Sequence, residues 1–121
     1  MTPNDDLSGF IAASFPSVWT LETLLLLKGD RRSWTRPELI GALRASDLVI
    51  DQALDSLVAG GLASLTDDGA AYTPVSASVA SLVDQTEKIY RLKPDAVRRM
   101  IVTSTASGIT AFADAFRLRK D

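Results

Sequence analysis

Apolar residues recur at helical spacing through most of this chain, and the breaks between the runs mark its elements. Val18, Trp19, Leu21, Leu24, Leu25 and Leu27 crowd a helix that starts near Pro16 and stops at Lys28-Gly29, a basic last-turn residue followed by a common C-terminal breaker. Ahead of it, Leu7, Phe10, Ile11 and Ser14 suggest a short helical arm. After the loop from Gly29 to Trp34 comes Thr35-Arg36-Pro37-Glu38, a Thr-x-x-Glu capping box with proline in the first turn, which predicts a second helix to about Ala45. Ser46 or Asp47 can cap a third, whose positions Ile50, Ala53, Leu54, Leu57 and Val58 keep the 3.6-residue period until Gly60-Gly61 ends it.

The period then changes. Leu62 to Thr66 and Ala70 to Thr73 read as short strands joined by Asp67-Asp68-Gly69, an Asp-Gly hairpin signal, and Pro74 closes the second. From about Ser76 the helical pattern returns, with Val79, Leu82, Val83, Thr86, Ile89 and Tyr90 on one face and Asp84, Gln85, Glu87 and Lys88 toward solvent. Pro94 ends this helix or starts another, in which Val97, Met100 and Ile101 are apolar. A final helix carries Ile109, Phe112, Ala113 and Phe116 as a stripe, with Arg117, Arg119 and Lys120 where they complement its dipole. The expected class is mainly α with a small β-hairpin: an arm and core over residues 1–75, then a helical extension over 76–121 that packs on the core or mediates dimerisation, all in one structural domain.

Composition narrows the chemistry. Among 121 residues there is no histidine and no cysteine, so Ser-His-Asp and Cys-His mechanisms and the usual zinc sites are excluded. Nor does any phosphate-cradling glycine loop or activated nucleophile stand out, and the expectation is a protein that is not an enzyme and holds no cofactor or metal. With 46% hydrophobic and 23% charged residues, the chain suits one soluble globular domain. Two acids in the first ten residues and no apolar run near 20 residues favour a cytoplasmic protein without membrane attachment.

Leu54 and Leu57, three residues apart, then Gly61-Leu62, Asp68-Gly69 and Tyr72-Thr73-Pro74, resemble the pattern of winged helix-turn-helix domains of MarR-like and PadR-like bacterial transcriptional regulators. The likeness covers residues 17–75; the tail from Ser76 has no assigned family. It implies that the third helix, Asp47 to Ala59, lies in the DNA major groove, that the start of the second helix sits on the backbone, and that the hairpin is the wing. A homodimer is also expected, held by charge complementarity between the basic tail and the acidic third helix or by a seam along the final helix.

Charge qualifies that expectation. The third helix presents Asp47, Asp51, Gln52, Asp55 and Ser56 and has no Lys or Arg, while the wing tip is Asp67-Asp68. Candidate DNA-backbone contacts are Arg31, Arg32, Arg36 and Arg44, aided by peptide N–H groups at the start of the second helix; the opposing reading pairs the loop arginines with Asp30 and Glu38. Residues 1–75 hold 5 basic and 10 acidic side chains, and residues 76–121 hold 8 and 5, so a near-neutral sum hides an acidic core and a basic tail. Lys88, Arg91, Lys93, Arg98 and Arg99 form a candidate basic patch for phosphate, for an acidic partner, or for the acidic third helix of a second copy. Ile109, Phe112 and Phe116 are a candidate partner or dimer seam. The sequence therefore supports a winged-helix regulator of transcription, with a protein-protein interaction module that does not bind DNA as the alternative.

Overall fold

The computed structural model describes residues 3–103. Its elements are α1 (Pro3–Ser14), α2 (Val18–Gly29), α3 (Arg36–Leu43), α4 (Asp47–Ala59), β1 (Ala63–Thr66), β2 (Gly69–Tyr72) and α5 (Ala77–Leu92), with a further helix, α6, over residues 94–103. The second and third helices anticipated from periodicity are thus α3 and α4. The stripe of Ile109, Phe112 and Phe116 lies outside the described residues.

Four helices begin at hydroxyl caps. The side chains of Ser17, Thr35, Ser46 and Ser76 accept the backbone N–H of Thr20, Glu38, Val49 and Val79, so each start recovers a donor the helix cannot satisfy itself. Of the two residues that could cap α4, Ser46 does so. Between α3 and α4 the chain turns through Arg44, a left-handed residue at φ 53°. Without glycine there, the turn carries a steric cost that L-residues rarely accept.

Leu7, Ile11 and Phe15 from the arm, Leu21, Leu24 and Leu27 from α2, and Ile50, Leu54 and Leu57 from α4 meet in one core with Leu39, Leu62, Val83, Tyr90, Val97 and Ile101. Helix α2 packs on α3, α4 and the hairpin, and α1 packs on α5. Two apolar positions counted toward the core face outward: Trp19 and Val58 are each 41% exposed. Thr20, Thr23 and Thr86 are buried instead, and the Thr23 and Thr86 hydroxyls are spent on the carbonyls four residues back.

The hairpin is antiparallel, pairing Ala63 with Tyr72 and Thr66 with Gly69; β1 starts one residue later than the sequence suggested, and β2 keeps the expected length but lies one residue earlier. A third backbone segment joins it: Trp34 exchanges two N–H···O bonds of 2.8 Å with Ala70. This bridge fixes the hairpin beside the start of α3. Among the described residues no single helix is long and apolar enough to cross a membrane; Leu7–Ser14 and Val18–Gly29 meet that description only as a pair bent by 103°.

Candidate functional site

The surface singled out by the sequence is built by α3, the Arg44 turn, α4 and the hairpin. With Ile50, Ala53, Leu54 and Leu57 anchoring α4 inward, the opposite face must look outward: Asp47, Leu48, Gln52 and Asp55 are exposed, and Asp51 and Ser56 are half-buried. Asp47, Asp51 and Asp55, spaced i, i+4 and i+8, form an acidic stripe on α4, but it is not bare. Arg36 reaches across from the first turn of α3, donating from Nε to Asp51 Oδ1 at 2.8 Å and from Nη2 to Asp51 Oδ2 at 2.6 Å, with Asp47 3.8 Å away. These bonds and the Asp51 charge raise the Arg36 pKa. A phosphate recruiting Arg36 must displace a two-point carboxylate partner that is already in place.

Arg32 is also engaged. Its guanidinium stacks 3.8 Å from the centre of the Trp34 ring and meets Asp30 at 3.0 Å and Glu38 at 3.1 Å. Trp34 is buried and its Nε1–H donates to the Asp30 carbonyl, so it closes the core and serves as the platform for Arg32. The pairing of loop arginines with Asp30 and Glu38 is therefore what Arg32 shows. Arg31 lies over the Tyr72 ring at 5.2 Å, and Arg44 is exposed at the turn with no ion pair among the described residues.

The start of α3 does not offer the open anion site that its peptide N–H groups suggested. Glu38 fills it: its carboxylate accepts the Thr35 N–H at 2.8 Å, while Thr35 Oγ1 accepts the Glu38 N–H. Pro37 has no N–H to give, and that of Leu39 is bonded to the Thr35 carbonyl. The Thr35 N–H, followed by Arg32 and the Thr35 side chain, lowers the Glu38 pKa from 4.5 to about 2. A carboxyl depressed on folding contributes stability that is complete above its unfolded pKa and is lost as pH falls through the folded one. Between about pH 5 and pH 2 the wild type should therefore lose stability that Glu38→Gln lacks throughout, and thermal melts should show the gap between them closing as pH falls toward 2. A gap that stays constant across that range contradicts the assignment.

The hairpin tip, Asp67-Asp68, is exposed, and no cation pairs with it among the described residues. The basic stretch is not one patch. Lys88 and Arg91 flank a groove shared with Lys28, Glu87 and Leu92; Arg98 faces Val18, Trp19 and Leu43; Arg99 faces Ser8, Gly9 and Ala12 of α1. The break at Lys93, before α6, turns neighbours in sequence onto different sides. Arg91 pairs with Glu87, and Arg98 pairs with Asp95 and lies over the Tyr90 ring.

Two polar clusters escaped the sequence reading. Lys28, with a side chain only 13% exposed, is clasped between Glu87 at 2.8 Å and Asp84 at 3.1 Å, and the bond to Glu87 is the main cause of its raised pKa. Glu87 is half-buried against α2 rather than solvated. Tyr90, also buried, donates its hydroxyl to Glu22. Both clusters tie α2 to α5 by charge and hydrogen bonding. Among the described residues no group of three His, Cys, Asp or Glu could hold a metal ion. Compared with known proteins, the chain matches no family model, no curated protein and no solved structure.

Proposed function

We propose that this chain is a non-enzymatic winged-helix regulatory protein acting in transcription, in which α4 is not a base-reading helix. The order α2, α3, turn, α4, hairpin, with α4 anchored on α2 and the hairpin tied beside α3, supports the winged-helix reading. The observation that carries the second half is the Arg36-Asp51 pair. It takes the cation nearest to α4 out of play and leaves Asp55, Asp67 and Asp68 as charges a DNA groove would repel. Among the described residues, any DNA contact then falls to Arg31, Arg44 or the cations of α5 and α6, and would be with backbone.

A second reading, an interaction module that meets a basic protein surface through α4 without binding DNA, is favoured by Leu48, which is 65% exposed amid the acids. Binding to mixed genomic DNA fragments across a salt series separates the two. Under the regulatory reading, binding weakens with salt, falls with Arg31→Ala plus Arg44→Ala, and strengthens with Asp51→Asn, which frees Arg36. Absence of binding at low salt by both wild type and Asp51→Asn overturns it in favour of the protein-only module.

A further inference from the structure

Two exposed leucines sit in strips of opposite charge. On α4, Leu48, Gln52 and Asp55 follow one another at i, i+4 and i+7 and are all exposed, with Asp47 and Asp51 beside them. At the end of α5, Lys88, Arg91 and Leu92 line one side at i, i+3 and i+4, and Lys93 follows. Leu92 is 75% exposed. Cations in the last turn of α5 suit its dipole, but that does not account for a leucine held in water among them.

The charges left over also match. Asp55 on one strip, and Lys88 and Lys93 on the other, belong to no ion pair among the described residues, and none of the pairs joins the two strips within the chain. Each strip thus lacks what the other supplies: one apolar knob with charge of the opposite sign. We infer that the α4 strip of one copy docks on the α5 end of a second copy of this chain. The contact is heterologous, using two different surfaces, so it joins copies head to tail unless a second such contact closes the pair. It stands apart from the regulatory reading, since it requires only these two strips.

The experiment is sedimentation velocity on the full chain, with two surface variants chosen so that neither breaks a described ion pair or a core contact. The wild type should show a mass that rises with concentration at about 20 mM salt, with the apparent dissociation constant weakening at least about tenfold by about 0.5 M. Leu48→Ser with Asp55→Asn removes one strip, Lys88→Gln with Lys93→Gln removes the other, and each variant alone should stay monomeric. Mixed in equal amounts, they retain one intact contact between them and should form a species of twice the monomer mass that does not grow further. A wild type that stays monomeric, variants that associate as the wild type does, or a mixture that stays monomeric would each overturn the inference.

Discussion

Replacing Gly69 with alanine is expected to cost about 3 kcal/mol or more, an effect out of proportion to one methyl group on an exposed hairpin. Gly69 sits at φ 128°, where side chains are rarely accommodated, and an added Cβ would fall 2.2 Å from the Trp34 carbonyl oxygen and 2.6 Å from its carbon. Both obstacles are backbone, so neither can swing aside. The hairpin would have to move off Trp34, giving up the two bonds between Trp34 and Ala70 and loosening the platform that holds Arg32. Urea or thermal unfolding measures the loss, and a midpoint drop of about 10 °C or more is expected for a domain of this size. Gly41→Ala is the control: it lies in α3, meets nothing within 4 Å, and should stabilise by about 0.5–1 kcal/mol. Equal behaviour of the two variants would contradict the close approach at Gly69.

Phe15→Ala is expected to be as damaging, at about 3–5 kcal/mol, against a total stability of about 5–15 kcal/mol for a domain. Phe15 follows the last residue of α1 and is 1% exposed, with Phe10 edge-on at 5.9 Å. Together with Ile11 it makes the arm part of the core rather than an appendage. The residual cavity would lie where the chain turns from α1 into α2, and α1 would lose its hold there. Phe15→Leu should recover most of the stability, because a smaller void remains. A loss below about 1 kcal/mol for Phe15→Ala, measured by urea unfolding, would mean that the arm is not integral to the fold.

Local signals made the helices and the hairpin legible. The Thr35-Glu38 box, the Ser caps and the Asp-Gly turn each act within a few residues, so the sequence displays them directly. What stayed hidden were partnerships across long separations. Asp51 and Arg36 are 15 residues apart, Lys28 and Glu87 are 59 apart, and Tyr90 and Glu22 are 68 apart. The acids of α4 could be counted, but not the arginine that answers them, because the crossing of α3 and α4 decides that contact. Glu87 had a readable clue: it lies four residues after Val83 and three before Tyr90, at the margin of the apolar stripe. The basic stretch misled because a linear count of cations ignores the break before Pro94. Apolar density likewise overcounted at Trp19 and Val58, which fall on the outward sides of their helices.

The same capping box shows how one signal carries two meanings. Read as a helix start, Thr35-Arg36-Pro37-Glu38 suggests donors waiting for a phosphate; once folded, Glu38 has taken that place. Arg44 runs the other way. A non-glycine residue held left-handed and exposed at a turn is a local cost, and it keeps a guanidinium beside α4 where glycine would serve the backbone better.

Whether α4 reads bases is tested most directly by an amide-resolved NMR titration of the labelled full chain with short DNA duplexes of differing sequence at low salt. The expected result is that the backbone amides of Leu48, Gln52, Asp55 and Ser56 keep their shifts at every DNA ratio, with any perturbation falling around Arg31, Arg44, the cations of α5 and α6 or residues 104–121. Shifts on the outward face of α4 that change with the DNA sequence would contradict the proposal that it does not.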